Sequence, residues 1–351
     1  MSLDIYLRAA PKVELHVHLE GSIRPATLLT LAERNHVPLP ATTEIGLRDW
    51  FRYRDFDHFI ETYVLCTQCL RTMEDYALVV YEFGAEMARQ HCRYAEVTFS
   101  PSTNWVFGVP QEVWFPGLTA GRARVLADFG VTINWVFNIV RSWRDETRTV
   151  PTADYTTSVA IEGMAEGVVA LGLGGSEVGR PPEPFAPWFD RARVAGLHSD
   201  PHAGETVGPA SIWGALRALG AERIGHGVRA IEDPALVAYL AEQRVPLEVS
   251  PTSNIRLGVY PDLTAHPLRC LHDAGLILTV NTDDPPLFNT TLNDEVALLA
   301  DPFGFAVEAI DAMLLNGVRH SFLPPGRRRA MEADFVAQLT ALKTVHLAGE
   351  V

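Results

Sequence analysis

The chain has 351 residues, of which 47% are hydrophobic and 21% are charged. This composition is typical of a soluble globular protein and excludes a disordered or fibrous one. The 29 basic and 43 acidic residues give a net charge of −14. A surface that binds nucleic-acid phosphates favours the opposite sign, so we expect no nucleic-acid partner.

The N-terminal sequence mixes acidic and basic residues and does not resemble a signal peptide. No apolar run reaches the roughly 18 residues that span a bilayer. We therefore expect a cytoplasmic protein with no membrane partner.

The 4 cysteines are too few for a disulfide framework. Cys66 and Cys69 form a C-x-x-C pair, but a zinc ribbon needs a second close pair, and Cys92 and Cys270 lie far apart in the sequence. Because free cysteine is often buried, the sequence predicts ordinary core thiols.

Short apolar runs bounded by polar residues or glycine predict eight strands. In chain order they are 13–17, 94–99, 131–140, 168–173, 196–202, 223–226, 246–249 and 276–281. Helical patterns lie between most of these runs, and the clearest are 25–34, 73–90, 210–219 and 234–242.

Strands that alternate with helices favour a parallel sheet covered by helices, and eight such units close into a (β/α)8 TIM barrel. We expect one barrel domain over residues 1–351. The longest gap between predicted strands is 18–93, and it contains aromatic-rich segments. A helical insertion at about 20–90, after the first strand, would lie over the mouth of the barrel as a lid.

Two histidines, His16 and His18, lie two residues apart in the first predicted strand. Side chains alternate across a strand, so both imidazoles point to the same side. By itself this pair fits a metal site less well than it fits two hydrogen-bonded histidines.

Further ionisable residues follow other predicted strands, and strand ends in a barrel converge on one mouth. Three histidines and one aspartate form a plausible set of nitrogen and oxygen ligands for Zn²⁺, namely His16, His18, His202 and Asp283. Acid-base chemistry beside such a site would then come from Glu205, His226 and Asp284.

Six segments, in order, resemble the adenosine deaminase family of the amidohydrolase superfamily: 11–21, 94–97, 202–205, 223–227, 251–254 and 281–285. The resemblance implies an eight-stranded barrel, one catalytic zinc and hydrolytic deamination at C6 of a purine. In the cytidine-type deaminases, by contrast, the metal site is formed by H-x-E and P-C-x-x-C motifs.

The resemblance also implies roles for single residues. Glu205 matches the family's proton donor to purine N1, and it must be protonated when substrate binds. His226 matches the residue that orients the attacking water. Asp284 matches the residue that hydrogen-bonds this water and purine N7.

Substrate contacts are implied for His18, Glu20, Gly175 and Asp284. Gly175 aligns with the family's backbone contact to purine N3. Its segment is not a dinucleotide-binding G-x-G-x-x-G loop, because Glu177 stands where the last glycine would be needed.

Members of the family act on different substrates, and several of these fit the sequence. Adenine deaminases usually carry Asp at the position of Gly225, which favours a nucleoside here. Glu20 stands where adenosine deaminases usually have the Asp that accepts the ribose 5′-hydroxyl, and Thr98 stands where many have Arg. Segments 171–182, with Phe185, and 199–206 also resemble aminodeoxyfutalosine deaminases, whose substrate carries a benzoate on the 5′ side.

We expect adenosine and deoxyadenosine as substrates first, converted to inosine-type products and ammonia. Aminodeoxyfutalosine comes second, and adenine remains open. A catalytically silent nucleoside-binding barrel is a further alternative, although the complete set of ligands and acid-base groups favours an enzyme. A two-metal hydrolase would carry a lysine on the fourth strand, and 168–173 has none. The protein is expected to be a monomer or homodimer.

Overall fold

The computed structural model describes residues 3–141 and 146–347. Eight parallel strands form one sheet in which each strand pairs with its neighbours in the sequence. They are β1 Lys12–His18, β2 Cys92–Phe99, β3 Thr132–Val140, β4 Val168–Gly174, β5 His198–Ala203, β6 Ile224–His226, β7 Leu247–Val249 and β8 Leu278–Val280.

The helices of the first half of the chain are α1 Leu3–Ala9, α2 Pro25–Arg34, α3 Glu44–Trp50, α4 Phe56–Gln68, α5 Met73–Arg89, α6 Pro101–Val106, α7 Gln111–Phe129 and α8 Glu146–Glu162. Those of the second half are α9 Ala186–Ala195, α10 Pro209–Ala218, α11 Pro234–Gln243, α12 Pro251–Arg256, α13 Leu268–Asp273, α14 Pro285–Phe288, α15 Leu292–Ala300, α16 Val307–Arg319 and α17 Pro325–His346.

The sheet closes on itself just beyond β8. The amide of His18 donates to the carbonyl of Asp283 at 2.8 Å, and the amide of Asp283 donates to the carbonyl of His16 at 3.0 Å. Val17 and Asp283 form a parallel bridge there. The predicted (β/α)8 barrel is therefore confirmed, and each of the eight predicted strands coincides with an observed one to within a few residues.

Strands buried on both faces explain the nearly continuous apolar runs of the sequence. Every residue of β1 is buried, as is every residue of β6, β7 and β8. Helices cover the outside of the sheet. Within the described ranges, no helix is both long enough and apolar enough to cross a membrane.

Helix α4, between β1 and β2, approaches the mouth of the barrel. It begins at Asp55, whose carboxylate accepts the amide of His58 at 2.8 Å and so caps the helix. Its buried residues include Phe59 and Cys66, which lie two helical turns apart on one face. Phe59 stacks on Phe288 of α14 with ring centroids 5.3 Å apart, so α4 packs against the segment that follows β8.

The cysteine prediction is confirmed at three positions and wrong at the fourth. Cys66, Cys69 and Cys92 are buried free thiols, whereas Cys270 is exposed. Cys270 belongs to α13, whose buried face is formed by Leu268 and by the residue after Cys270. A short helix with so narrow a buried face leaves the intervening position in solvent.

A cluster of buried charges joins β2, β5 and β7 inside the protein, where apolar residues are usual. Arg223 is 1% exposed and lies 2.6 Å from a carboxylate oxygen of Glu96, 2.7 Å from one of Asp200 and 2.6 Å from one of Glu248. Its guanidinium also lies 3.7 Å from the ring centroid of Phe322. Burial of a charge without a partner costs free energy, so the three carboxylates need Arg223 to be stable in the interior.

Replacing Arg223 with Leu should therefore lower the free energy of unfolding by about 3–5 kcal/mol, because buried carboxylates lose their cation. Urea denaturation followed by circular dichroism measures this change. Arg319→Leu is the matched control, since its pair with Glu332 is partly exposed and should contribute at most about 1 kcal/mol. Equal losses in the two variants would contradict the proposed importance of the buried cluster.

Candidate active site

A cavity of about 130 Å³ opens at the carboxyl ends of the strands, beneath α4. Ionisable residues from several strand ends share this cavity with apolar residues of α4. The lining consists of His18, Phe56, Phe59, Ile60, Tyr63, Val64, Ser100, Thr103, Asn138, Val140, Gly175, His202, Glu205, His226, Leu257, Asp283 and Asp284. The structure thus brings together most of the site residues predicted from the sequence.

The four predicted metal ligands lie close together. His18 Nε2 is 3.1 Å from His202 Nε2 and 3.3 Å from Asp283 Oδ1, and His16 Nε2 is 3.7 Å from the same oxygen. Ligands that each lie about 2.0–2.1 Å from a tetrahedral Zn²⁺ are separated by roughly 3.4 Å. The three measured separations are close to this value, so His18 lies at ligand spacing from His202 and Asp283, and His16 lies at a slightly longer spacing from Asp283.

A second grouping of buried donors includes His226. Atoms of His16, His202, His226 and Asp283 all lie within 4.8 Å of one another and could also hold a metal ion. His226 Nε2 faces the other carboxylate oxygen of Asp283 at 3.9 Å and lies 3.8 Å from Glu205. This position, between the metal donors and a carboxyl group, is compatible with contact to a water molecule as well as to a metal.

Side chains behind the donors fix their orientation. Glu248 of β7 lies 2.9 Å from His16 Nδ1, which leaves Nε2 to face the cavity. That Nε2 atom has no hydrogen-bond partner in the described part of the chain. Ser253 donates to Asp283 Oδ2 at 2.6 Å. Carboxylate partners of this kind fix the tautomer and ring direction of metal-binding histidines, so the arrangement fits a metal ion.

Burial sets the charge of the imidazoles. It lowers the pKa of His18 and of His226 to about 4, and it lowers that of His202 well below its ordinary value, so these rings are neutral and their lone pairs are free. Burial also opposes charge on His16, but the bond with Glu248 and the nearby Asp283 raise its pKa to about 9. A metal ion at His16 therefore competes with a proton.

Two carboxyl groups in the cavity favour the protonated form. Burial, together with the charges of Asp283 and Glu177, raises the pKa of Glu205 well above its ordinary value. Burial and the adjacent Asp283 do the same for Asp284. Glu205 Oε1 and Asp284 Oδ1 have no hydrogen-bond partner among residues 3–141 and 146–347. Both groups can therefore offer a proton to a molecule bound in the cavity.

Two glycines allow side chains of the site to approach the backbone closely. A Cβ atom on Gly21 would lie 1.5 Å from Asp284 Oδ1, so the H-x-H-L-E-G segment needs glycine there. A Cβ atom on Gly225 would lie 2.8 Å from His16 Cε1. A larger residue at 225 would displace a candidate metal ligand.

Glu20 lies under the wall of the cavity and not among the residues that line it. Its side chain is fully buried, and its two oxygens accept hydrogen bonds from the Ser100 amide at 3.0 Å and from the Tyr63 hydroxyl at 2.9 Å. Tyr63 belongs to α4, so Glu20 ties this helix to the end of β2. The family resemblance implies contact between this carboxylate and a ribose 5′-hydroxyl, but here it is buried behind the lining and bonds the protein.

Several of these residues had no role predicted from the sequence. Glu248 had a signal, a lone carboxylate within an apolar strand, and Ser253 lies in a segment that carries the family resemblance. Asn254 of the same segment lies 3.3 Å from His226 Nδ1 through its amide nitrogen. A helical lid was predicted for this insertion, but nothing in the sequence singled out Tyr63, because only the packing of α4 brings it to the cavity.

Comparisons with known proteins agree with this geometry. The profile described as adenosine deaminase matches residues 11–338. An aminodeoxyfutalosine deaminase from Streptomyces coelicolor is 41% identical over 97% of this chain and 87% of its own length. The crystal structure of an adenine deaminase from Arthrobacter aurescens is 31% identical, covers 95% of this chain and 98% of its own, and superposes with a TM-score of 0.86.

A second crystal structure, of an amidohydrolase from Burkholderia ambifaria with bound zinc, is 26% identical and has a TM-score of 0.87. The match covers 98% of this chain and 95% of that one. The barrel, the converging histidines and carboxylates, and the profile match along most of the sequence lead to one conclusion. The chain belongs to the adenosine deaminase family.

Proposed function

We propose that this protein is a hydrolytic deaminase that removes the 6-amino group of a purine. Water supplies the new oxygen at C6, and the amino group leaves as ammonia. The observation that carries this proposal is one cavity that holds a compact group of histidine and aspartate donors together with two carboxyl groups, Glu205 and Asp284, whose pKa is raised by burial. A silent nucleoside-binding barrel would not need all of these groups.

One zinc ion is the proposed cofactor, held by His16, His18, His202 and Asp283. Three short separations among their donor atoms and the zinc bound by the Burkholderia relative support this choice. A bound zinc ion supplies Lewis acidity that lowers the pKa of a water molecule towards neutrality.

The protein itself supplies the proton, the contacts to the purine ring and the orientation of the water. Glu205 donates its proton to N1, so that the ring can accept the electrons displaced when water adds to C6. Asp284 contacts N7 and the attacking water, and His226 orients that water. The backbone of Gly175 contacts N3 from the lining of the cavity. A raised carboxyl pKa, caused mainly by burial, is the property that a general acid at neutral pH requires.

Helix α4 is the proposed lid of a single barrel domain, residues 1–351, within the insertion at about 20–90. Phe59, Ile60 and Tyr63 of this helix line the cavity, and Phe59 packs on α14. Closure would exclude water from the carboxyl groups and strengthen their interactions with substrate. A cytoplasmic location and a monomeric or homodimeric state stay predictions.

For the 5′ substituent we place aminodeoxyfutalosine first, which reverses the order expected from the sequence. Glu20 is fully buried, is not among the residues that line the cavity, and accepts hydrogen bonds from Tyr63 and Ser100, so a ribose 5′-hydroxyl lacks the acceptor that it would have in an adenosine deaminase. The outer wall of the cavity is apolar and aromatic, which suits an aryl group. The Streptomyces relative bears the same substrate in its name.

Adenosine is the second candidate, because Gly225 packs against His16 and leaves no room for the aspartate typical of adenine deaminases. Adenine is third. These rankings affect only the part of the substrate that lies outside the purine.

Asp283→Ala should abolish zinc binding and activity, because it removes a ligand. Glu248→Gln should weaken zinc affinity about 10–100-fold, because the partner of His16 loses its charge. Metal analysis and competition with a chromogenic chelator measure both effects. Asp273→Ala on the exposed surface of α13 is the control. Stoichiometric zinc in purified Asp283→Ala would rule out the ligand assignment.

Chelator should inactivate the wild type, and added zinc should restore its activity.

Glu205→Gln should retain zinc and the fold but lower kcat by about 10²–10⁴-fold. Glutamine has nearly the same shape but carries no acidic proton for N1. Steady-state kinetics with the preferred purine, beside metal analysis of the same sample, make the measurement. A kcat within tenfold of wild type would exclude Glu205 as the proton donor.

The wild-type kcat/KM for aminodeoxyfutalosine should exceed that for adenosine by about 10–100-fold, since burial of an aromatic ring contributes about 1.5–3 kcal/mol. Adenosine and 5′-deoxyadenosine should differ by no more than about threefold, because Glu20 is buried outside the cavity lining, where it bonds Tyr63 and Ser100. A spectrophotometric assay with ammonia detection, with adenine in the same panel, provides the values. Loss of a hydrogen bond to a free carboxylate would make 5′-deoxyadenosine about tenfold worse or more. That result, with adenosine preferred, would restore the order expected from the sequence.

A further inference from the structure

A buried carboxylate outside the proposed catalytic groups joins two loops of the active site. Glu177 lies three residues after β4 and two residues after Gly175, and it is only 4% exposed. The other loop follows β5 and carries Glu205. Within the described ranges, Glu177 is not among the residues that line the cavity, so direct contact with substrate does not explain it.

The Glu177 carboxylate accepts an unusually large number of hydrogen bonds from the β5 loop. Successive backbone amides surround it in a concave arrangement of the kind that binds anions, and the left-handed conformation of Gly204, with φ of 73°, helps to form it. The donors are the amides of Gly204 at 2.8 Å, Glu205 at 2.9 Å, Thr206 at 2.7 Å and Val207 at 3.1 Å, and the hydroxyls of Ser211 at 2.6 Å and Thr206 at 3.3 Å.

This carboxylate is ionised. Burial alone would raise the pKa of Glu177, but the charge of Arg141 and the hydrogen bonds from the β5 loop and Ser211 hold it below the ordinary value. An ionised carboxylate offers acceptor sites on both oxygens and no donor, which is what a ring of N–H and O–H donors requires.

The side chain of Glu205 is held differently from its backbone. Its Oε1 atom has no hydrogen-bond partner in the described part of the chain, and Oε2 lies 3.8 Å from His226 Nε2, beyond hydrogen-bond distance. The direction of the carboxyl group is therefore set mainly by the backbone from which it projects. Glu177 holds the four amides of that backbone, while Arg229 donates to the carbonyls of Gly204 and Thr206.

We propose that Glu177 is a positioning residue, which places the carboxyl of Glu205 against the substrate by anchoring the backbone of residues 204–207. This inference rests on the proposed function, in which Glu205 gives its proton to the purine ring. It adds a residue that never touches the substrate and that acts on the catalytic step more than on binding.

Glu177→Gln tests the proposal. Glutamine keeps one acceptor oxygen but turns an NH₂ group towards backbone N–H donors, so at least part of the anchor is lost. A misplacement of about 1 Å in a catalytic group costs about 10²-fold in rate. We expect kcat to fall about 100-fold, while KM stays within threefold and zinc content is unchanged. Glu183→Gln, in the same loop but exposed, should match the wild type.

Hydrogen exchange of the amides of residues 204–207 provides a readout that is independent of the substrate. These amides should exchange faster in Glu177→Gln than in the wild type or in Glu183→Gln. Unchanged exchange, or a kcat within threefold of wild type, would overturn the proposal. A KM that rises while kcat is retained would also overturn it, because it would place Glu177 in binding.

Further variants keep the test decisive if Glu177→Gln does not fold. Glu177→Asp keeps the charge on a shorter side chain, and it should lower kcat less than Gln does, with KM and zinc unchanged; an unchanged kcat would overturn the proposal. Ser211→Ala removes one donor and leaves the backbone amides in place, so its kcat should stay within about threefold. A wild type that releases no ammonia from any purine would reject the proposed function instead, and the exchange result would still report on the anchor.

Discussion

Pairing of β1 with the segment after β8 is the constraint on which the active site depends. The two backbone hydrogen bonds between Asp283 and the histidine strand hold the last candidate ligand beside the first two. They join residues from opposite ends of the sequence, so no local interaction could replace them. A shift of one residue in this register would turn His16 and His18 to the other face of the strand and separate the donors.

The carboxylates of Glu96, Asp200 and Glu248 are arranged in the barrel so that each lies beside the guanidinium of Arg223. Glu248 is shared: one oxygen lies beside Arg223 in the interior and the other beside His16 at the mouth. Uncompensated charge is costly in a dry interior, so the position of His16 is coupled to the interior cluster. A substitution at Arg223 can therefore alter the position of His16 although Arg223 does not line the cavity.

Much of this could be predicted from the sequence, since strands buried on both faces appear as apolar runs and parallel strands bring their ends together. The positions of His202 and Asp283 at strand ends followed from the same rule. The parts that escaped prediction depend on packing between distant segments. Nothing local marks Tyr63 as part of the cavity or Glu177 as an anchor, and Cys270 is exposed only because α13 buries a narrow face.

Glu20 shows how a small change in a family motif can give a residue different partners. Glutamate is one methylene longer than the aspartate usual at this position in adenosine deaminases, and here its oxygens reach the Ser100 amide and the Tyr63 hydroxyl. The carboxylate then holds α4 over the barrel. On the proposed function, the apolar wall that α4 provides recognises the 5′ side of the substrate. Glu20 then does not contact the substrate itself, but holds in place the helix that selects it.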